Sequence, residues 1–366
     1  MRVSFSQQDL MSCLAKAISV IDRKQTMPIL ANFLFAVRDN QAEITATDLE
    51  MEITTSIPCQ ADGEGEFTIS GKKIFDICKS LPPEATLNLN VKPTTVLVKS
   101  LESSFSLSIL PAVDYPANTA IETSHSFEIE EQILLHLIQR TAFSIAQQDV
   151  RYYLNGLLVE TSNGIIRAIS TDGHRLAYCE QAFTDASGGH AKALIPRKAI
   201  LELAKILEDS PEMVGVDLAD GQIRIRKKGT TLTSKLIDGK FPDYQRVIPK
   251  NLDKVIYLER DSFKQALSRV AVLTYEKYRA VNLSLEAGTL LLESRNPEQE
   301  KAEEKIPVDY QGEPLGIGFN VIYLLDVLNV LGTDQIQLEL LDTNSSAILR
   351  GKGESDCLYV VMPMRI

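Results

Sequence analysis

Ser170-Thr171-Asp172-Gly173-His174-Arg175-Leu176-Ala177 follows the apolar run Ile165-Ile166-Arg167-Ala168-Ile169, and its interpretation decides the fold. A Ser, an Asp and a His stand close together here, as in a hydrolytic set. Such a set needs a nucleophile, a base within hydrogen-bond reach and an orienting group, which folding brings together from separate loops. Adjacency in sequence is no evidence for that geometry, whereas Asp and Gly are the residues that a tight turn uses. Spacing favours the turn. Thr47-Asp48 lies 124 residues before Thr171-Asp172, in Ile44-Thr45-Ala46-Thr47-Asp48-Leu49-Glu50, and Arg295-Asn296 lies 124 after, in Leu292-Glu293-Ser294-Arg295-Asn296-Pro297-Glu298. Each time a short β-type run ends in a polar turn.

The echo continues beyond the turn. Ile74, Ile77, Cys78 and Leu81 share one helical face, and the spacing returns at Ile200, Leu203, Ala204 and Leu207, then at Leu324, Val327, Leu328 and Leu331. Amphipathic helices from Asp9 to Ile21, Glu130 to Phe143 and Asp261 to Leu273 open the three parts. Three repeats follow, with boundaries 1–124, 125–252 and 253–366.

Composition agrees with several domains. A chain of 366 residues exceeds what one core supports, and 44% hydrophobic with 24% charged residues is ordinary for globular protein. The start, Met1-Arg2-Val3-Ser4-Phe5-Ser6-Gln7-Gln8-Asp9, lacks a signal-peptide core, and no run nears the roughly 18 apolar residues of a membrane span. The expected location is cytoplasmic, with no membrane partner. Cys13, Cys59, Cys78, Cys179 and Cys357 are odd in number and scattered, so small core thiols are expected, with neither a disulfide frame nor a zinc site. A net charge of −11 argues against an ordinary basic DNA-binding domain. The acidic excess lies in the outer thirds, however, and the middle third is neutral. An acidic body with a local basic lining is repelled by phosphate everywhere except at that lining; the plainer explanation is solubility.

Within each third the expected order is helix, strands, helix, strands. Leu81-Pro82-Pro83 stops the helix of Gly71 to Ser80, and Pro196 is expected to open the equivalent helix of the middle third. Seven or eight strands and two helices per third make the fold α+β. Ile237 to Pro249 forms a loop with apolar anchors, matched by Pro111 to Pro116 in the first third. The end, Leu358-Tyr359-Val360-Val361-Met362-Pro363-Met364-Arg365-Ile366, is apolar for a terminus. Either its strand is buried, or its Met and Val side chains line a groove that accepts something.

Other chemistry is weakly signalled. Asp62-Gly63-Glu64-Gly65 lacks the remaining residues of a phosphate loop, and Glu298, Glu300, Glu303 and Glu304 lack the alternation of a calcium loop. Lys72, Lys73 and Lys79 recur as Arg197, Lys198 and Lys205, while Arg23-Lys24, Arg151 and Lys277/Arg279 follow the first helices. Repetition would place these cations on one surface.

Four segments together resemble the bacterial sliding clamps, the beta subunits of DNA polymerase III: Gln148-Asp149-Val150-Arg151-Tyr152-Tyr153-Leu154-Asn155-Gly156, Thr171 to Leu176, Phe241-Pro242-Asp243-Tyr244 and Met362-Pro363-Met364-Arg365. The resemblance covers the whole chain. It implies an α+β fold of three repeated clamp domains, each with two helices on antiparallel sheets, and a head-to-tail homodimer closing a six-domain ring. It implies a non-catalytic processivity factor with no catalytic residue, cofactor or metal, which encircles double-stranded DNA without regard to sequence.

Clamp-loader and polymerase subunits would dock through short linear motifs. The residues implied are Arg151, Tyr153, Leu154, Thr171, Gly173, His174, Arg175, Leu176, Pro242, Arg246, Val247, Asn320, Tyr323, Ser346, Val360, Val361, Met362, Pro363, Met364 and Arg365. DNA would meet Lys24, Gln148, Tyr152, Tyr153, Arg197, Lys198, Tyr278 and Arg279. The dimer contact would use Lys73, Phe105 and Leu107 against Val272, Leu273, Glu298, Glu300 and Glu304. Glu102 and Ser104 stand where the family has basic residues, so a weaker or differently paired contact is expected. The alternatives are a hydrolase using His174 and a static scaffold without DNA.

Overall fold

The computed structural model describes every residue except 22–26, 117–121, 185–188 and 366. The first third folds as β1 (Arg2–Ser6), α1 (Gln7–Ala17), β2 (Asn32–Arg38), β3 (Gln41–Thr47), β4 (Met51–Pro58), β5 (Gln60–Ala61), β6 (Gly65–Ser70), α2 (Gly71–Ser80), β7 (Thr86–Val91), β8 (Thr95–Ser100) and β9 (Ser103–Ser108). The middle third gives β10 (His125–Glu130), α3 (Glu131–Thr141), β11 (Gly156–Ser162), β12 (Ile165–Thr171), β13 (Arg175–Ala182), β14 (Ala191–Pro196), α4 (Arg197–Ile206), β15 (Met213–Ala219), β16 (Gln222–Lys227) and β17 (Thr230–Lys235). The last gives β18 (Lys254–Glu259), α5 (Arg260–Ala271), β19 (Ala280–Glu286), β20 (Thr289–Arg295), β21 (Lys301–Pro307), β22 (Leu315–Asn320), α6 (Val321–Val330), β23 (Gln335–Leu340), β24 (Ala347–Gly351) and β25 (Cys357–Val361). The expected two helices per third are present.

The helices form where the apolar spacing puts them. Ser6 caps α1 by accepting from Asp9 N at 3.1 Å, and Leu10, Leu14 and Ala17 bury one face. The repeated face of the second helices is buried as Ile74, Ile77 and Cys78, as Ile200 and Leu203, and as Leu324, Val327 and Leu328. The first helices of the first two thirds are shorter than expected, because their last turns tighten into 3-10 segments at Ile18–Val20 and Ala142–Ser144. Pro196 does not open α4. It ends β14 opposite Gly156, on a sheet edge where a missing N–H leaves no ladder bond unmade.

The chain forms two compact units. The first comprises Met1–Gln132 with Thr184–Gly189 and Lys198–Leu236, and the second comprises Ile133–Phe183, His190–Arg197 and Ile237–Ile366. The first contains a five-stranded sheet, β5-β1-β7-β8-β9, and an eight-stranded sheet, β10-β15-β16-β17-β4-β3-β2-β6. The second contains an eight-stranded sheet, β14-β11-β12-β13-β25-β24-β23-β18, and a four-stranded sheet, β21-β20-β19-β22. Each large sheet joins strands from two different thirds: Leu232 pairs with Ile53 in one, and Leu176 with Val360 in the other. The middle third therefore contributes to both cores.

One expectation is corrected here. Cys179 and Cys357 are not isolated thiols but direct partners across β13 and β25, joined as a disulfide. Their sequence separation of 178 hides a neighbourhood that only the sheet pairing creates. Cys13, Cys59 and Cys78 are free and buried, as expected, and burial pushes the Cys78 thiol up to about 11.

Candidate functional site

The turn between β12 and β13 is built by its own side chains. Thr171 Oγ1 donates to Arg175 O at 2.6 Å and accepts from Gly173 N at 3.1 Å. Asp172 Oδ1 accepts from His174 N at 2.9 Å and Arg175 N at 3.0 Å, an arrangement typical of Asx turns. Gly173 has φ +87°, a left-handed conformation, and a Cβ there would lie 2.8 Å from an Arg151 guanidinium nitrogen. Ser170 is buried and donates to Thr141 O at 2.5 Å, so its hydroxyl is committed to fixing the end of α3.

Arg175 is the centre of the site. Its side chain is only 11% exposed, and its guanidinium bonds Asp172 Oδ2 (3.1 Å), Asp326 Oδ2 (2.6 Å) and Phe143 O (3.0 Å). The same cation stands 4.5 Å above the Tyr323 ring and 5.2 Å from that of Phe143. His174 is exposed and lies nearly parallel to Tyr323, with ring centroids 6.4 Å apart. Burial raises the Tyr323 phenol, which stays a neutral donor at physiological pH. Asp326 and Phe143 were not singled out in the sequence; Asp326 sits three residues after Tyr323 on α6, a spacing that puts both on one helix face.

The chain end forms a second wall. Val360 pairs with Leu176 and Val361 with Arg175, Met362 N donates to His174 O at 2.9 Å, and Met364 bridges to Gly318. The strand itself is buried, with Val360 at 1% and Val361 at 0% exposure, whereas Met362 is 43% exposed. The buried-strand reading thus holds for Val360 and Val361, and Met362 beyond them is exposed. Beneath the surface, Leu176, Val360 and Ile348 share a cluster with Phe241 and Tyr244, which anchors the loop carrying Pro242, Arg246 and Val247. Ser346 directly precedes β24, whose Ala347 pairs with Val361, and Asn320 caps α6 by accepting from Ile322 N at 2.9 Å.

A third side comes from 148–155. Asp149 receives Arg151 Nη2 at 2.8 Å, and a second Arg151 bond reaches Asp172 O at 3.1 Å. The Arg151 side chain, and then its backbone N–H, hold the Asp149 carboxyl well down, at about 2. Tyr153 packs half-buried beside the apolar cluster, but Leu154 is 2% exposed and supports the surface from below. Of the groove residues implied by the resemblance, Leu154, Leu176, Val360 and Val361 are therefore floor. Arg151, Gly173, His174, Arg246, Val247, Met362 and Arg365 are exposed.

The residues implied for DNA are spread over both units. In the second, Gln148 has φ +55°, Tyr152 is 58% exposed, and Arg197 N donates to Asn155 O at 3.0 Å, which holds the start of α4 against that loop. Tyr278 is 51% exposed beside Tyr275 and Lys277, and Arg279 adopts φ +51°. In the first unit Lys198 bonds Asp48 at 2.5 Å. Lys24 lies outside the described residues. For the dimer contact, β9 and β21 are terminal strands of their sheets, Lys73 is exposed, Val272 is 78% exposed, and Phe105, Leu107 and Leu273 are half-exposed. Glu298 and Glu300 are exposed, with Glu300 accepting from Asn296, and Glu304 is bonded by Arg269 at 2.5 Å.

A hairpin turn, a chain end and a helix N-terminus thus come together, with Arg151, His174 and Met362 exposed among them. Comparison with known proteins specifies the class. Models of the DNA polymerase III beta subunit match consecutively: its N-terminal domain over residues 1–119, its central domain over 128–243 and its C-terminal domain over 245–365. The beta sliding clamp of Pseudomonas putida is 47% identical over the full length of both chains. A crystal structure of the beta subunit from Pseudomonas aeruginosa, 44% identical, superposes over the whole of both chains with a TM-score of 0.97. Another from that organism, with the same score and identity, contains griselimycin. The chain belongs to the DNA polymerase III beta subunit family, the beta sliding clamps.

Proposed function

We propose that two copies of this chain close head to tail into a six-domain ring around duplex DNA, and that the Arg175-centred surface tethers the replicative polymerase to it. The domains are 1–124, 125–252 and 253–366. The observation that carries this reading is the pair of terminal strands, β9 in one unit and β21 in the other. A chain with one free edge of each kind can join a second copy through two identical β9–β21 joints, leaving neither edge open.

The joint has little charge to rely on. β9 is Ser103-Ser104-Phe105-Ser106-Leu107-Ser108, with its apolar side chains half-exposed. On β21, Glu304 is already neutralised by Arg269, and Lys301 pairs with Glu293 and Glu303. Backbone bonds and apolar contact by Phe105, Leu107, Val272 and Leu273 therefore supply most of the closure.

The protein acts as a non-catalytic tether in the cytoplasm. Gln148, Tyr152, Tyr153, Arg197, Lys198, Tyr278, Arg279 and Lys24 supply weak phosphate and stacking contacts, compatible with sliding because each is readily exchanged. The acidic remainder of the body discourages static adhesion. The docking motif is a short linear peptide: apolar side chains enter beside Met362 and Val247, and polar groups meet Arg151, His174 and Arg246. Primer extension by the cognate polymerase with clamp loader and ATP tests the tether. Products lengthened by the chain at unchanged polymerase concentration support it, and product lengths indifferent to the chain, or to Met362→Ala with Met364→Ala, overturn it.

A further inference from the structure

The second unit holds a side-chain cluster that neither docking nor DNA contact uses. Cys179 and Cys357 face each other across β13 and β25 with Cα atoms 4.1 Å apart. Closest approach of this kind belongs to the non-hydrogen-bonded pairs of an antiparallel ladder, whose side chains rise together from one face. His136, on α3, places Nε2 4.0 Å from Cys357 Sγ, and Asp356 Oδ2 lies 3.9 Å from the same nitrogen. One ligand atom from each of the four residues fits within 4.8 Å of all the others. The sulfurs are buried and the imidazole and carboxylate half-buried, so a cation has a dry soft side and an open hard side.

Two sulfurs, an imidazole and a carboxylate form a donor set suited to zinc. In a tetrahedral site with Zn–S of about 2.3 Å and Zn–N or Zn–O of about 2.0–2.2 Å, neighbouring donor atoms are roughly 3.3–3.8 Å apart. The distances from His136 already approach that range. The sulfur–sulfur edge does not fit a metal-bound pair, because those atoms are bonded to each other. Reduction opens it: a dithiol reductant delivers two electrons and two protons to the bridge and itself becomes a disulfide. Zinc then binds the two thiols as thiolates and releases their protons.

We propose that reduced Cys179 and Cys357, together with His136 and Asp356, bind a zinc ion, and that metal and disulfide are mutually exclusive states of one site. The site lies on the strand pair to which docking is assigned above, since β25 carries both Cys357 and Val360 and β13 carries both Cys179 and Arg175. Bound metal pins β25 to β13 just before the chain end reaches the groove. The inference rests on the cluster alone and holds whatever the chain tethers.

The test uses the full chain, reduced and freed of metal, with Cys13, Cys59 and Cys78 replaced by alanine so that only the pair remains. Cobalt(II) is titrated in. The expected result is saturation at one equivalent, with a thiolate-to-cobalt charge-transfer band, intense tetrahedral d–d bands and displacement of both by zinc. Cys357→Ala should abolish the charge-transfer band or shrink it severely, and His136→Ala, at a half-exposed position, should weaken zinc binding at least tenfold in a chain whose circular dichroism is unchanged. No cobalt spectrum in the reduced parent overturns the proposal. So does a spectrum unaltered by His136→Ala, or a bridge between Cys179 and Cys357 that persists after reduction with no free thiol.

Discussion

Two turns in this molecule share one hydrogen-bond scheme and differ in almost everything they present. In the first unit Thr47 Oγ1 donates to Met51 O and accepts from Leu49 N, while Asp48 Oδ1 accepts from Glu50 N and Met51 N. In the second, Thr171, Asp172, Gly173, His174 and Arg175 repeat those four bonds in the same order. Met51 is buried as ordinary core, and Glu50 pairs with Lys235. Their counterparts, Arg175 and His174, face Tyr323, Asp326 and the chain end. The comparison separates scaffold from the function proposed for it: the Thr-Asp scheme makes the hairpin, and the side chains at its fourth and fifth positions distinguish the surface to which docking is assigned above.

The largest effect should come from the fifth position. Arg175→Ala leaves Asp326 and Asp172 without their cation and should cost about 3 kcal/mol in denaturant unfolding. Met51→Ala should cost a similar ~2–4 kcal/mol through the cavity it leaves. Only Arg175→Ala should also lower affinity for a polymerase docking peptide, by more than tenfold in calorimetric titration. Equal loss of affinity in both variants would break the distinction between the turns.

The third position gives a smaller contrast of opposite sign. Leu49 holds φ +76° at 42% exposure, a conformation costing a non-glycine residue about 1 kcal/mol. Leu49→Gly should be neutral or stabilising by up to about 1 kcal/mol, whereas Gly173→Ala should destabilise by at least that much and push Arg151 aside. A Gly173→Ala chain with unchanged stability and peptide affinity would show that the close Arg151 approach is dispensable.

The smallest effect concerns pH. Lys198 contacts the Asp48 side chain of the first turn, while at the second turn Arg151 bridges Asp149 to Asp172 O. The Asp149 carboxyl is depressed in the folded chain, so its contribution is present above the ordinary carboxylate value of about 3.9 and is lost as pH falls toward about 2. Its carboxyl carbon resonance should titrate with a midpoint near that lower value. A midpoint at the ordinary value would mean that the Arg151 bond does not form in solution.

The repeat was legible because helical spacing and turn chemistry are local signals, and both turns and all three second helices appear where those signals put them. β6 and β14 carry no two-residue alternation to read, because their central residues are buried in unbroken runs. The β17–β4 and β13–β25 pairings were invisible for another reason: alternation says which face a residue occupies, not which distant strand lies beside it. That same blindness hid the Cys179–Cys357 contact. At the proposed docking surface, the resemblance supplied the outline, but only the structure separates the buried residues Leu154, Leu176, Val360 and Val361 from the exposed ones, and only the structure adds Asp326 and Phe143.

The most direct test of the whole account is retention on nicked circular DNA after loading by a clamp loader with ATP, measured before and after a single cut makes the DNA linear. The account requires stable retention on the circle and rapid loss through the free ends once it is cut, at unchanged salt. Equal retention on circle and linear DNA would show that the chain grips phosphate directly, and encirclement would be contradicted.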